Sequence, residues 1–266
     1  MSVSNDAKKK SDGGIFEIVS IVVQALLLAL LVQMFLFQPF NIPSGSMEHT
    51  LRVGDYLFVS KWSYGYSRYS FSNKILGIDK GIVPFSGRIF GSDPQRGDIV
   101  VFRKPHEEDI DYIKRVIGLP GDKIQVKDGV LFINGAEVKR DFDKNFNEID
   151  YRGDRTVGKQ YTETLPNGVS YHVLKLDDRS QPSPAGQFDP NNTQIYEVPP
   201  GHYFMMGDNR DNSADSRYLQ DVGYVPAENL IGKAQIIFFS HSGDTPVWTL
   251  WNWPWTVRFD RILKIP

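Results

Sequence analysis

The sequence predicts a mainly β protein: a single N-terminal transmembrane helix, then a folded-sheet or barrel-like β domain with an inserted β subdomain. Two observations predict it. One long apolar run stands near the start. After it come short apolar segments broken by Gly, Asp, Asn and Pro, with no long amphipathic helix among them. With 266 residues and 41% hydrophobic content, the chain can bury the core of one large domain, or of one domain with an insert.

The elements follow in order. Residues 1–14 are polar and carry Lys8, Lys9 and Lys10. Ile15 to Phe37 is the apolar run, and its most apolar part, Ile18 to Phe37, is about 20 residues long, enough to span ~30 Å of hydrocarbon. A cleaved leader would be shorter and end in a small-x-small site, whereas this run ends in the bulky QMFLFQPF. A buried core helix would show a polar face, which the run lacks. It therefore reads as a membrane anchor. The lysines before it put the N-terminus in the cytoplasm, and residues from about 40 onward on the opposite side.

Beyond the anchor, Asp55 to Trp62, Asp98 to Pro105 and Asp111 to Gly118 are strand candidates. Asp122 to Gly135 reads as a hairpin whose Asp128-Gly129 pair suits a primed turn, with Asn134-Gly135 offering a second. TQIYEVPPGHYFMMGD and LIGKAQIIFFS supply later strands. Residues 63–95, rich in Gly, Ser, Tyr and Phe, and the polar residues 141–195 look like insertions. The second forms either a small accessory β subdomain or long loops. The expected division is a tail (1–14), an anchor (15–37), a main β domain (38–140 and 196–266) and an inserted region (141–195). The tail VWTLWNWPWTVRF holds four of the five Trp residues. It reads either as a membrane-interface belt or as a packed cluster.

Composition excludes several classes. Net charge is −2 with 23% charged residues, which fits neither a disordered chain nor a nucleic-acid binder. The absence of cysteine rules out disulfides, a thiol nucleophile and thiolate metal sites. The five His residues are scattered without metal spacing, and GDNRDNSADSR lacks the pattern of an EF-hand loop. No metal and no cofactor is expected.

Nucleophiles must then be Ser or Thr. PFNIPSGSMEHTL, Pro39 to Leu51, directly follows the anchor, and its Ser-Gly-Ser turn can present one hydroxyl while a second donates a hydrogen bond. The same stretch also reads as a plain linker. Lys114 lies on a strand face with Tyr112 and Val116. If desolvated there, its pKa falls below its usual ~10.4, and a neutral lysine is a competent base for a hydroxyl. Off a strand edge it would be an ordinary solvated lysine. Gly207 to Arg217 alone reads as a solvated loop. A Ser-His-Asp triad stays open on spacing.

Taken together, FNIPSGSMEHTL, GDIVVF, DYIKRVIGLPGD and GDNRDNSADSR resemble, in order, the motifs of the bacterial type I signal peptidases (leader peptidases), which also follow an N-terminal anchor. The resemblance implies a membrane-bound serine endopeptidase that removes signal peptides from exported preproteins after small residues of the Ala-x-Ala kind. It implies Ser46 as nucleophile and Lys114 as general base, with the Ser44 hydroxyl and the Ser46 N–H as oxyanion hole. It implies Ser213 as the hydroxyl orienting the lysine, Asp215 and Arg217 as charged supports, and Phe40, Ile42, Leu57, Val101, Tyr112 and Ile113 as the lining of shallow pockets. The partners implied are signal-peptide-bearing preproteins and the lipid bilayer, with no nucleic acid. The place implied is the bacterial inner (cell) membrane, single-pass, with the N-terminus cytoplasmic and the catalytic domain periplasmic or extracytoplasmic. One departure is visible: His49 stands where the family usually has Pro. Two rivals remain from the residues, a membrane-anchored β-barrel binding module and a self-cleaving repressor-type Ser/Lys peptidase.

Overall fold

The computed structural model describes residues 12–71, 86–149, 155–176, 187–242 and 249–266. Lys8, Lys9, Lys10 and Trp248 lie outside them, as do residues 72–85 of the first presumed insertion.

The Ala- and Leu-rich run forms one helix, α1 (Asp12–Phe35). Among the described residues it is the one helix long and apolar enough to cross a membrane, and none of that span is buried. A core helix would be covered, so this observation sets the core reading aside. The helix stops two residues earlier than the sequence suggests. Pro39 cannot continue it and disfavours helical geometry at Gln38, so Phe37 opens a strand instead. The terminal carbonyls find new donors, as helix ends require: Phe35 O accepts the Tyr66 hydroxyl at 2.7 Å and Leu36 O accepts Lys61 N–H at 3.0 Å.

Fourteen strands follow among the described residues: β1 (Phe37–Asn41), β2 (Asp55–Ser60), β3 (Ile99–Arg103), β4 (Asp111–Gly118), β5 (Lys123–Lys127), β6 (Val130–Ile133), β7 (Ala136–Glu137), β8 (Lys139–Ile149), β9 (Arg155–Thr164), β10 (Ser170–Leu176), β11 (Tyr196–Glu197), β12 (His202–Met206), β13 (Val225–Pro226) and β14 (Leu230–Ser240). Seven of them form one sheet in the order β1-β2-β14-β3-β4-β12-β13. Register shifts interrupt β14 against both of its neighbours and β12 against β4. Such bulges bend strands and increase twist, which curls this sheet into a half-barrel. The β5–β6 turn has Asp128 at φ 47° and Gly129 at φ 72°, both left-handed as a primed turn demands. Asn134 and Gly135 repeat the arrangement into β7.

Of the two readings for residues 141–195, the described part is a sheet rather than loops: β10, β9 and β8 pair antiparallel. This accessory sheet begins at Lys139, and its inner residues Tyr171 and Val173, with Leu165 just past β9, share a core with Ile117, Leu131 and Phe204. A second core, with Met47, Leu51, Leu57, Ile99 and Ile237, lies on the concave sheet beneath the segment that follows β1.

Candidate active site

Residues after β1 turn through a short 3₁₀ segment, Gly45–Met47. Its position follows from two plugs: Met47 and Leu51, both fully buried, insert beside Ile42, Leu57 and Val101. Ser46, directly before Met47, is buried with it. Strand β4 brings Lys114 to it, and Nζ donates to Ser46 Oγ at 2.7 Å and to Ile113 O at 3.0 Å. The Tyr112 ring lies 5.0 Å from the same nitrogen. Lys114 is only 4% exposed. Burial pushes its pKa down from 10.5 to about 8, against the pull of the Asp215 and Asp208 carboxylates. An amine so placed can take a proton from the hydroxyl it touches.

The pair opens on a cleft of about 360 Å³, lined among others by Phe40, Ile42, Ser44, Val101, Tyr112 and Ile113. Leu57 is not among the lining residues. It points inward from β2 and is wholly buried in the core below the cleft. Ser44 is exposed, its Oγ 3.5 Å from that of Ser46.

The 207–217 loop, which reads as solvated when taken alone, is largely buried here. Its charges are paired, Asp215 and Arg217 with each other, and Asp208, Arg210 and Asp211 with Arg115, Glu163 and Lys175 outside the loop. Asp215 accepts Arg217 Nε at 2.8 Å and Nη2 at 2.9 Å, and Gly207 N–H at 3.1 Å. Burial alone would raise the Asp215 pKa, but the Arg217 guanidinium and these hydrogen bonds outweigh it and hold the carboxyl below its usual value. Ser213 is buried beside Asp215, and its hydroxyl helps to hold that carboxyl down. Gly207 is required here: a Cβ would stand 2.2 Å from Ser213 Oγ and 2.5 Å from Ser46 O.

Several residues that matter to this geometry carry no signal in the sequence. Asn209 donates its N–H to Ser46 O and its Nδ2 to Gly45 O, both at 3.1 Å. Asp208 receives Arg115 through two bonds, 2.8 and 2.6 Å, and Thr50 Oγ1 at 2.6 Å. Asp111, Asn212 and Ala214 also line the cleft. The turn formers of the loop advertised only a turn. His49 lies at φ 85°, a left-handed conformation closed to proline, and its ring packs edge-on against His172 of β10 at 4.8 Å.

A serine hydroxyl held by a buried lysine, at the side of an apolar cleft on a curled sheet, has the makings of a serine peptidase site. Comparison makes this narrower. A family model described as signal peptidase, peptidase S26, matches residues 15–239. Signal peptidase I of Rickettsia prowazekii (strain Madrid E) is 44% identical over 215 residues, covering 80% of this chain and 76% of the relative. That of Rickettsia massiliae (strain Mtu5) is 44% identical over 226 residues, covering 82% and 77%. A crystal structure of a signal peptidase I from Enterococcus faecalis V583 matches at 27% identity over 53% of this chain and 97% of that one; its TM-score of 0.30 is too low to carry an argument. The chain belongs to the signal peptidase family, peptidase S26, and its activity is that of signal peptidase I, the removal of signal peptides. The binding-module and repressor-type readings fall with that membership.

Proposed function

We propose that the reaction runs through Ser46 and Lys114. The observation that carries this is the 2.7 Å contact between Lys114 Nζ and Ser46 Oγ, at a lysine whose burial lowers its pKa to about 8. Neutral Lys114 takes the Ser46 proton as Oγ attacks the scissile carbonyl carbon. The oxyanion receives the Ser46 N–H and the Ser44 hydroxyl, where one donor contributes on the order of 3 kcal/mol in comparable enzymes. The C–N bond breaks, and the Lys114 ammonium returns the proton to the leaving amine. Water then loses its proton to Lys114 and opens the ester, restoring the Ser46 hydroxyl. Ser213, buried beside the Asp215 carboxylate that pulls on Lys114, orients the lysine. Asp215 and Arg217 hold the loop beneath.

Phe40, Ile42, Val101, Tyr112 and Ile113 form the shallow pockets for small side chains, with Leu57 as the floor behind them. The free edge of β1 offers backbone groups to an extended substrate, which binds as an added strand. Preproteins cut after Ala-x-Ala sequences fit this cleft. The protein sits in the bacterial inner membrane as a single-pass protein, N-terminus cytoplasmic and β domain periplasmic, so the cleft lies where a leader leaves the bilayer. The exposed α1 surface and its preceding lysines support this placement.

The test is preprotein cleavage by detergent-solubilised protein. Ser46→Ala is expected to lose cleavage while its melting curve stays native. Cleavage within tenfold of wild type would overturn the assignment.

A further inference from the structure

No residue of β8, β9 or β10 lines the cleft. The accessory sheet nevertheless carries a wholly buried carboxylate, Glu163 of β9. Its two oxygens take the Arg210 fork at 2.8 and 2.5 Å, and Oε2 also accepts the Tyr171 hydroxyl at 2.9 Å. Arg210 is itself buried. A buried carboxylate or guanidinium that loses its partner is strongly penalised, so the two hold each other in place.

What Arg210 holds is the chain on either side of it. Its N–H donates to Leu174 O of β10 at 3.0 Å, and Leu174 N–H donates to Asp208 O at 2.9 Å. Lys175 and Leu176 of the same strand bind the Asp211 carboxylate at 2.6 and 2.8 Å. Residues 208–211 are thus laced to the accessory sheet along their length. In their midst stands Asn209, whose Nδ2 fixes the Gly45 carbonyl. A trans peptide is planar, so fixing that carbonyl also fixes the direction of the Ser46 N–H on the same unit. This N–H is the oxyanion donor in the reading above, on which the inference rests.

We propose that Glu163 is a positioning residue for peptide hydrolysis: it clamps Arg210, Arg210 holds Asn209, and Asn209 sets the Gly45–Ser46 peptide that receives the oxyanion. The accessory sheet is then a part of the active-site scaffold, and it acts on the transition state without touching the substrate.

The test uses the full-length protein in detergent and preprotein cleavage rates per folded enzyme, with the folded fraction read from thermal melts. Glu163→Gln is expected to lower kcat by about ten- to a hundredfold with KM within about threefold. In an Asn209→Ala background the same substitution is expected to cost less than about twofold more, because the link is already cut. A merely structural role would instead multiply the two losses. Arg210→Lys keeps the cation and loses the fork, and it covers the case in which Glu163→Gln does not fold. A kcat loss of about three- to tenfold is expected, again absent in the Asn209→Ala background. Wild-type kcat in folded Glu163→Gln or Arg210→Lys, or losses that multiply with Asn209→Ala, would overturn the proposal. Ser46→Ala alongside separates the two readings. Cleavage by that variant sinks the site itself, whereas an inactive Ser46→Ala with unaffected Glu163→Gln sinks the positioning role alone.

Discussion

Lys114→Met is expected to abolish cleavage and to raise stability at neutral pH, both from the same cause. Burial lowers the Lys114 pKa from 10.5 to about 8. At pH 7 the native state therefore carries a charging cost of about 3 kcal/mol that a methionine of similar length does not have. The variant loses the bonds to Ser46 Oγ and Ile113 O. Both acceptors border the open cleft, where water replaces a bond worth about 1 kcal/mol. The net gain is about 2 kcal/mol, or roughly 4–8 °C in melting temperature for a domain of this size. Because the native pKa is the lower one, the unfolded chain binds more protons between pH 8 and 10.5, and wild-type stability rises with pH across that window. The advantage of the Met variant is full below pH 8, shrinks through the window and is gone above it. Lys61, buried with a pKa near 8 as well, titrates in both proteins and cancels. Thermal unfolding in detergent from pH 6 to 10.5 measures this. A variant no more stable than wild type at pH 7, or an advantage unchanged at pH 10.5, would refute the reasoning.

Three further outcomes are expected. Since Lys114 is neutral only above about pH 8, log kcat/KM should rise with unit slope below that pH and level off above it; a profile flat from pH 6 to 8 would remove Lys114 as base. His49→Pro, which restores the usual family residue, should lower the unfolding free energy by more than about 1 kcal/mol, because φ 85° is closed to the pyrrolidine ring, whereas His49→Gly should not; a Pro variant melting at or above wild type would contradict the turn. A version lacking residues 1–35 should still co-sediment with lipid vesicles and shift its Trp emission to the blue, since Trp251 and Trp255 are 71% and 81% exposed while Trp253 packs on Phe239 at 5.2 Å. Neither sedimentation nor a shift would mean that α1 alone holds the protein at a membrane.

The segments with a local cause were legible in the sequence. Strands β4 and β14 begin and end where Asp111–Gly118 and Leu230–Ser240 were expected, because alternation and breakers act within a few residues. The Asp128-Gly129 turn was legible because positive φ is a property of the residues themselves. The helix end was misplaced by two residues, since hydropathy does not see the backbone constraint that Pro39 imposes. Leu57 was expected in the cleft wall and lies beneath it, because alternation says only that a residue faces inward and not what lies above it.

The sequence by itself determined the N-terminal apolar helix and the β character, and it singled out the serine, the lysine and the turn-rich loop as candidates. Hydropathy, residue chemistry and turn preference are all carried locally. Only the tertiary structure decided that these segments form one site. Ser46 and Lys114 stand 68 positions apart and meet because Met47 and Leu51 plug the turn into the core under β4. The fold also decided the state of the charges. Lys114 gives up its proton more readily than a solvated lysine because burial withdraws water from it, and the 207–217 loop is interior because its carboxylates and guanidiniums pair with one another and with Arg115, Lys175 and Glu163, the last 47 positions from Arg210. Desolvation and long-range pairing depend on where the rest of the chain lies, and no stretch of residues read alone contains that.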